Sequence, residues 1–459
     1  MSQTNGKIFS DLCADKAISD DINITQLVPI AEDYLKEPIS EDTLASLMIS
    51  IGQAARIASR CLAQLTSQEK NAALQAMALS LRNHSSAIQN ANKKDMELAK
   101  EKALSMAFLD RLALTSARIE AMAKGLEAIA QLPDPIGTVL SSLKPPNQLN
   151  ISRVRVPIGV VGVIYESRPN VTADAAGLCL KAGNAVVLRG GSESFNSSLA
   201  IVKALHEGLN KAGLPTSIVQ IVPSSDRAAV KHLLKMDKYI DVIIPRGGLQ
   251  LIEYISTHTR IPLFKHLAGL CHTYIHQAAD KQMAKEIVLN AKMRRTGICG
   301  ATEVLLIDEA AVASHFPPIL EVLLEAGCEV RGDEKLVADY ANLKLAVEDD
   351  YHTEFLDAII AVKIVKDLTE AIIHIQKHST QHTDAIITND QAAAEKFFQE
   401  IDSAIVMHNT STQFADGGEF GMGAEIGIAT GKLHARGPVG VEQLTTFKYL
   451  VRGNGQIRC

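Results

Sequence analysis

Residues 160–188 read VVGVIYESRPNVTADAAGLCLKAGNAVVL, which contains an apolar run, a helical segment and a second apolar run. The two runs, Val160–Tyr165 and Ala185–Leu188, are short and continuously apolar. Such runs are typical of parallel strands that are covered on both faces of a sheet. The segment between them, Ala173–Lys181, has the composition of a helix. The stretch therefore predicts a β-α-β unit.

The same alternation continues along the chain. A predicted helix over Phe195–Lys211 leads to a third strand at Ile218–Val222, and a helix over Asp226–Met236 leads to a fourth at Ile240–Ile244. A further helix runs to about Thr257. Strands that alternate with helices indicate a Rossmann-like α/β fold, whose ligands bind at the carboxyl ends of the strands.

Other patterns lie on either side of this region. Residues 1–43 are acidic and poor in long apolar stretches, so we expect an N-terminal extension, whereas Leu44 to Ala130 has helical periodicity. A second α/β region follows from about Pro262 to Thr430. The alternating segments Ile151–Val156 and Leu444–Leu450 predict exposed strands that could pair with another subunit.

Composition limits the class of protein. The chain has 459 residues, of which 47% are hydrophobic and 21% charged, so it can bury large cores in about three domains. A net charge of -6 gives no global basic field for nucleic acid or an acidic membrane surface. The seven cysteines have no paired spacing, and neither a leader nor an apolar run of about 18 residues is visible. We therefore expect a cytoplasmic protein.

One cysteine stands in an unusual setting. A helical stretch ends at Lys292 and is followed by a basic, glycine-containing loop that presents Cys299, after which an apolar run begins at Glu303. Basic neighbours favour the thiolate, which is the nucleophilic form, and a loop gives access. A cysteine that merely packs is the alternative, since free cysteine is among the most buried residue types.

Two strand-to-helix junctions are candidates for binding phosphate, Arg189–Gly190–Gly191 and Arg246–Gly247–Gly248. Glycine lets the backbone approach a ligand, a helix N-terminus favours anions, and arginine supplies charged donors. Each junction alone is equally consistent with a tight turn. Two of them at the carboxyl ends of one sheet favour a dinucleotide site.

Three other motifs have weaker readings. The segment Gly421–Gly427 has the wrong spacing for a dinucleotide fingerprint and predicts a tight loop near a ligand. His374, His378 and His382 are four residues apart and could share a helical face, but a solvated or capping face is favoured and no metal site is predicted. His434 and Arg436 either lie on an exposed loop or bind an anionic substrate.

Longer runs resemble a known family. The chain resembles the gamma-glutamyl phosphate reductases, or glutamate-5-semialdehyde dehydrogenases, of the aldehyde dehydrogenase superfamily, from about residue 48 to the C-terminus. The likeness is carried by residues 161–172 (VGVIYESRPNVT), 181–191 (KAGNAVVLRGG), 236–241 (MDKYID), 244–248 (IPRGG), the Cys299 loop, 383–386 (TDAI) and 434–438 (HARGP).

The resemblance implies an architecture. It is an aldehyde dehydrogenase-like α/β fold with a Rossmann-like cofactor domain, an α/β catalytic domain and a small β oligomerisation element. After the extension over residues 1–43, we expect the NADP-binding domain over residues 44–130 and 153–263, and the catalytic domain with Cys299 over 264–430. Residues 131–152 and 431–459 would be oligomerisation segments.

The resemblance also implies roles for individual residues. Cys299 matches the catalytic thiol, and Asn170 together with the backbone N–H of Cys299 matches the oxyanion hole. The expected cofactor-binding residues are Arg189, Gly190, Gly191, Ser192, Arg246, Gly247, Gly248 and Glu354, the last on the nicotinamide ribose. The expected substrate-binding residues are Arg168, Arg295, His434 and Arg436.

Two departures from ordinary aldehyde dehydrogenases bear on the reaction. Lys265 falls where those enzymes have a glutamate base that activates water, so a thioester would be protected from hydrolysis. Ser192 falls where NAD-preferring members have an acid on the adenosine ribose, which favours NADP, although Glu193 is adjacent. The thiol loop departs from its family as well, because Thr296–Gly297 replaces the usual Pro–Ser while the spacing to Cys299 is unchanged.

The implied activity is NADPH-dependent reduction of gamma-glutamyl phosphate to glutamate 5-semialdehyde and phosphate through a cysteine thioester, the second step of proline biosynthesis from glutamate. Glutamate 5-kinase and further copies of the chain are the implied partners. The alternatives are an aldehyde-oxidising or acyl-CoA-reducing member of the superfamily, and a non-catalytic protein that shields the acyl phosphate for a kinase.

Overall fold

The computed structural model describes residues 40–265 and 268–458. These residues form two compact units. The first comprises the chain up to Lys265 together with Met422–Gly427 and Val439–Cys459, and the second comprises His266–Gly421 and Ile428–Pro438. The predicted extension lies outside the described residues as far as residue 39, and the first helix begins at Glu41.

The core of the first unit is a four-stranded parallel sheet, in the order β5-β4-β3-β6. Every residue of the two central strands is buried, which explains their uninterrupted apolar sequence. The third and fourth strands begin later than the sequence pattern predicts. The four strands are β3 (Val160–Tyr165), β4 (Ala185–Gly190), β5 (Val219–Ile221) and β6 (Val242–Arg246).

Helices pack around this sheet. The helical region upstream is confirmed, and most of its helices begin at a side-chain cap, such as Thr66, which forms a reciprocal capping box with Glu69. The helices of this unit are Glu41–Leu62, Ser67–Asn83, Ser85–Glu101, Met106–Leu112, Ser116–Gln131, Val171–Lys181, Phe195–Lys211, Arg227–Leu233 and Leu249–His258, with short 3-10 helices at Ser192–Ser194 and Thr216–Ile218.

A small antiparallel sheet of the first unit has the order β1-β2-β16. Its strands are β1 (Val139–Leu143), β2 (Asn150–Pro157) and β16 (Thr445–Arg452). Both segments with alternating polarity are therefore strands. However, β2 is paired on both sides, so the expectation that it could pair with another subunit is wrong. Among the described residues, β1 and β16 are the edge strands of this sheet.

The second unit contains a seven-stranded parallel sheet in the order β10-β9-β11-β8-β7-β12-β13. Its strands are β7 (Cys271–Ile275), β8 (Thr302–Asp308), β9 (Glu329–Gly332), β10 (Lys344–Leu345), β11 (Ile359–Val365), β12 (Thr383–Ile387) and β13 (Ile405–His408), and a separate pair is formed by β14 (Ile428–Ala429) and β15 (Gly437–Pro438).

The helices of the second unit connect these strands. Asp280 begins the helix that leads to Cys299, because its carboxylate accepts from the Met283 N–H at 2.8 Å. The helices are Lys281–Met293, Val312–Glu325, Glu334–Asp339, Leu368–His378 and Gln391–Glu400, with 3-10 helices at Glu348–His352 and Thr412–Phe414. In the described ranges, no helix has both the length and the apolar character needed to cross a membrane.

Candidate active site

The carboxyl ends of β3, β4 and β6 bring the two Arg–Gly–Gly junctions to one edge of the first sheet. Tyr165 is in register with Gly190 on one side and with Arg246 on the other. Gly248 then precedes the helix Leu249–His258. The arrangement is the one expected for a ligand that binds at the end of a parallel sheet.

Both arginines at this edge have an unused donor. The guanidinium of Arg189 is buried and donates to the carbonyl oxygens of Ser225 (3.0 Å) and Asp226 (3.2 Å). Its Nε, like the Nε of Arg246, is buried without a hydrogen-bond partner among the described residues. Buried donors of this kind are normally satisfied, so an anionic ligand such as a nucleotide phosphate fits here.

Two carboxylates occupy backbone donors at the same edge. Glu193 accepts from the Ser167 N–H at 2.7 Å, and Glu166 accepts from the Gly248 N–H at 3.2 Å. Burial and the nearby charge of Glu193 raise the pKa of Glu166. A Cβ on Gly191 would lie 2.1 Å from the Glu193 carboxylate, so these glycines make room for the acids. A phosphate that used the same N–H groups would have to displace them.

Asn170 lies at the start of the helix Val171–Lys181, one turn beyond the end of β3. Its side chain makes no capping bond and instead donates to Asp174 Oδ2 at 3.0 Å. Burial of the carboxyl group raises the pKa of Asp174 to about 6, an effect that the Asn170 bond and Arg246 oppose. Asp174 therefore fixes the orientation of the Asn170 amide.

In the second unit, a buried ion pair joins the two ends of the Cys299 loop. Lys292, in the last turn of its helix, donates to Glu303 on β8 at 2.5 Å, and both side chains are fully buried. Glu303 also accepts from the Leu356 N–H at 3.3 Å. Burial raises the pKa of Glu303 to about 7, although Lys292 lowers it. The pair fixes the loop that carries the thiol.

The backbone of Cys299 is in contact with Cys271 and Gly269. The thiol of Cys271 donates to the Cys299 carbonyl oxygen at 3.0 Å. Gly269 lies so close that a Cβ there would be 2.1 Å from this oxygen and 2.5 Å from the Cys299 Cα. The Gly269 N–H in turn donates to Glu354 at 2.8 Å. Cys299 itself is only partly buried, as a reactive thiol requires.

The expected substrate-binding residues differ in their exposure and in their partners. Arg295 is exposed beside Cys299 in sequence, and its carbonyl accepts from Gln413 at 3.1 Å. His434 is exposed, whereas Arg436 donates to the carboxylate (2.7 Å) and the carbonyl (2.6 Å) of Asp402. Arg168 lies in the first unit and is partly buried. Arg436 therefore has a structural partner that the sequence did not indicate.

The remaining predicted residues have clear positions. Ser192 is exposed at the start of its 3-10 helix. Within the Gly421–Gly427 segment, a Cβ on Gly427 would lie 3.0 Å from the Arg246 guanidinium, so this loop does border a predicted ligand-binding residue. The expectation of a solvated histidine face is wrong, because His374, His378 and His382 are all buried, and His382 lies beyond the helix, which ends at His378.

Sequence reasoning missed the residues that support the site. Asp174, Cys271, Lys292 and Glu303 belong to no recognised motif, and each acts through a neighbour that is distant in the chain or one helical turn away. A charged residue at an otherwise apolar helix position, as at Lys292, was the one available signal, because such a residue needs a buried partner.

Comparisons with known proteins identify the family. The family model of the aldehyde dehydrogenase family matches residues 39–326. A gamma-glutamyl phosphate reductase of Rhodospirillum rubrum is 61% identical over 420 residues, which cover 92% of this chain and 98% of that protein. A second one, from Paramagnetospirillum magneticum, is 58% identical over 90% of this chain and 98% of its own.

Solved structures give the same result. The crystal structure of gamma-glutamyl phosphate reductase from Thermotoga maritima is similar with a TM-score of 0.86 and 43% identity, covering 90% of this chain and 99% of that one. An acetylating aldehyde dehydrogenase from Geobacillus thermoglucosidasius is similar in fold, with a TM-score of 0.67 at 17% identity over 91% of this chain and 99% of that one.

Proposed function

This chain belongs to the gamma-glutamyl phosphate reductases of the aldehyde dehydrogenase family, and we propose that it reduces gamma-glutamyl phosphate to glutamate 5-semialdehyde and phosphate through a thioester on Cys299. The observation that carries the mechanism is the support of Cys299. The thiol is partly exposed, and its loop is stabilised by the Lys292–Glu303 ion pair and by the hydrogen bond from the Cys271 thiol.

The first half of the reaction forms the thioester. The Cys299 thiolate attacks the acyl carbonyl carbon, and the negative charge that develops on the carbonyl oxygen is assigned to the Asn170 amide and the backbone N–H of Cys299. One such donor contributes about 3–4 kcal/mol where it has been measured. The carbonyl then re-forms and the C–O bond to phosphate breaks, so phosphate leaves as an anion without needing a strong acid.

The second half needs a hydride, which NADPH supplies to the thioester when it is bound. Its phosphates would be bound by Arg189 and Arg246, whose Nε donors have no partner among the described residues. The protein backbone could approach the cofactor at the glycines of the two junctions, which are Gly190, Gly191, Gly247 and Gly248. Ser192 and Glu354 would bind the two riboses. Collapse of the resulting thiohemiacetal releases the aldehyde and regenerates the Cys299 thiolate.

Arg168, Arg295, His434 and Arg436 are the residues that we assign to the substrate phosphate and carboxylate. The bond from Arg436 to Asp402 limits this role, because the guanidinium would have to share its charge between that carboxylate and the substrate. Arg295, which is exposed, is therefore the stronger candidate of the two.

Aldehyde oxidation is the alternative reaction of this family. It requires a base that activates water for hydrolysis of the thioester, and Lys265 occupies the position that we align with that base. An ammonium group cannot accept a proton, so the thioester would persist until it is reduced. The same argument does not exclude transfer of the acyl group to a thiol such as coenzyme A. The assay of the reverse reaction distinguishes the two, because only the phosphate-forming reductase requires phosphate in that direction.

We also propose a cytoplasmic location and two partners. Cys179, Cys271, Cys299 and Cys328 are free, which suits a reducing compartment, whereas Cys61 is disulfide-bonded, which does not. Exposed apolar side chains on β16, among them Phe447 and Tyr449, suit pairing between copies of the chain. An acyl phosphate hydrolyses readily, so direct transfer from a glutamate 5-kinase is advantageous, and co-purification with the kinase tests it.

The test of the mechanism is the Cys299→Ser variant. We expect loss of turnover without loss of folding, because the hydroxyl is a poorer nucleophile in a nearly isosteric side chain. Cys328→Ser, which changes a buried thiol elsewhere in the same unit, is the matched control and should keep its activity. Normal turnover by Cys299→Ser would refute the thioester mechanism.

A further inference from the structure

A cluster of side chains that could bind a metal lies in the second unit and contains none of the residues assigned to the reaction. Glu348 and His352 stand at the two ends of a short 3-10 helix, and His378 is the last residue of the helix Leu368–His378. One donor atom from each lies within 4.8 Å of the other two. We propose that Glu348, His352 and His378 bind a divalent transition-metal ion of the zinc class.

The distances suit such an ion. His352 Nε2 lies 3.0 Å from His378 Nδ1, whereas the 3.9 Å contact of Glu348 Oε1 is to the other ring nitrogen of His378, Nε2, and one ion can take only one of these two nitrogens. Ligands that bind zinc at about 2.0–2.1 Å in a tetrahedron are about 3.4 Å from each other. One donor atom of each residue lies within 4.8 Å of the other two, and rotation of the exposed side chains of Glu348 and His352 would bring their donors toward the same nitrogen of His378. Two imidazoles, a carboxylate and a water form a familiar ligand set for zinc.

The buried member of the cluster is already oriented. The side chain of His378 is only 2% exposed, and the ring of His374 stacks on it with centroids 4.3 Å apart. The ring of Tyr351 lies edge-on at 6.2 Å. These contacts fix the plane of the imidazole while its nitrogens remain near Glu348 and His352. Orientation of a ligand by its surroundings lowers the entropic cost of binding.

A cation already lies near the carboxylate. Lys377 donates to Glu348 Oε1 at 3.0 Å, so the ion would have to share or replace this contact. A carboxylate has two oxygens and about four lone-pair sites, so both can be served. The pair is exposed on both sides, and exposed pairs of this type contribute little. Lys377 therefore weakens the site without closing it.

The simplest alternative needs no ion. One neutral imidazole can donate to another, and a hydrogen bond between His352 and His378 alone would account for the 3.0 Å distance. The two interpretations assign different roles to Glu348. It takes no part in a hydrogen bond between the histidines, but it is a ligand of the proposed ion. Substitution of Glu348 therefore separates them.

The proposal goes beyond the reaction assigned above. The ion would join the segment Glu348–His352 to the helix Leu368–His378, and a ligand that binds only the folded chain stabilises it in proportion to the logarithm of its concentration. Glu354, which contacts Gly269, lies two residues beyond His352. The site would thus stabilise the turn that leads to this residue.

The experiment measures binding of zinc alone to the full-length chain by calorimetry, followed by cobalt(II) absorption. The parent carries Cys299→Ser, so that the partly exposed thiol cannot contribute a ligand. Glu348→Gln and His352→Gln are made in this parent, and both positions are exposed, so folding should be preserved. His258→Gln, at an exposed histidine of the first unit, is the control.

We expect one zinc per chain, a thermal midpoint that rises with zinc, and binding weakened at least about 10-fold by either cluster substitution but not by the control. Cobalt should give the spectrum of nitrogen and oxygen ligands without a thiolate band. Absence of stoichiometric binding to the parent, or equal affinity in Glu348→Gln, would overturn the proposal. Because Cys299 is replaced throughout, neither outcome depends on the assigned reaction.

Discussion

Gly269 shows how closely a single residue can be tied to Cys299, the thiol that we propose as the nucleophile. A Cβ at this position would meet the backbone of Cys299, at 2.1 Å from its oxygen, and backbone cannot move aside as a flexible side chain can. We expect Gly269→Ala to lower kcat by about 100-fold, the size of effect that a displacement of about 1 Å at a reacting group produces. The rate of Cys299 alkylation by iodoacetamide should change with it.

The control for this substitution is Gly431→Ala in the same unit. A Cβ there meets nothing within 4 Å, so activity and alkylation should remain those of the unmodified chain. If Gly269→Ala kept full activity, the Cys299 backbone would have to be more adaptable than its contacts indicate, and the argument for a rigidly held thiol would fail.

Asp174 gives a prediction about pH at the same scale. Its pKa of about 6 in the folded chain exceeds the ordinary value of 3.8, so the folded state holds this proton more tightly than the unfolded state does. The contribution of Asp174 to stability is therefore complete below about pH 4 and is lost as pH rises through about 6. Asp174→Asn cannot titrate and should lack this loss.

The measurement compares thermal unfolding of the unmodified chain and Asp174→Asn across this range. Between about pH 4 and pH 7, the thermal midpoint of the unmodified chain should fall relative to that of the variant. A difference in midpoint that stayed constant over these pH values would show that burial does not raise this pKa.

The Asn170→Ala variant should lower kcat about 100-fold or more, because it removes the side chain that we propose as an oxyanion donor.

At the scale of elements, the helix Lys281–Met293 and strand β8 are joined by the buried Lys292–Glu303 pair. Removal of one partner leaves the other charged and buried, which costs about 3–5 kcal/mol. We expect Lys292→Met to lower the free energy of unfolding by this amount. The double variant Lys292→Met/Glu303→Leu should recover most of it, because it leaves no unpaired charge.

Stability and activity should separate in that double variant. If the pair also positions the Cys299 loop, turnover should remain low after stability has been regained, as denaturant unfolding and kcat would show together. Recovery of both would mean that the pair contributes only to stability and that apolar packing can hold the loop equally well.

For the whole molecule, the exposed edge strand β16 predicts assembly. Phe447, Tyr449 and Val451 lie two residues apart on one face and are 45%, 58% and 56% exposed. A lysine on an edge strand discourages pairing, so Tyr449→Lys should lower the mass of the particle in light scattering. Leu98→Lys, at an exposed leucine of the helix Ser85–Glu101, is the control. Equal masses for both variants would exclude β16 as the interface.

Local sequence was sufficient for most of the fold, because continuously apolar runs such as Val160–Tyr165 can be stable only as covered strands. It placed the Cys299 loop and the Arg–Gly–Gly junctions for the same reason, since each follows directly from a helix or strand end. It failed where contacts are non-local. The pairing of β2 with both β1 and β16, and the carboxylates of Glu166 and Glu193 at the junctions, depend on residues that only the folded chain brings together.

Phosphate-dependent reduction through Cys299 can be tested by running the reaction in reverse. Glutamate 5-semialdehyde is supplied with NADP, with and without phosphate, and NADPH formation is followed while NAD is run in parallel. We predict formation of NADPH only when phosphate is present, and none with Cys299→Ser. NADPH formation without phosphate would contradict the account, because it would mean that water resolves the thioester and that Lys265 does not replace the base.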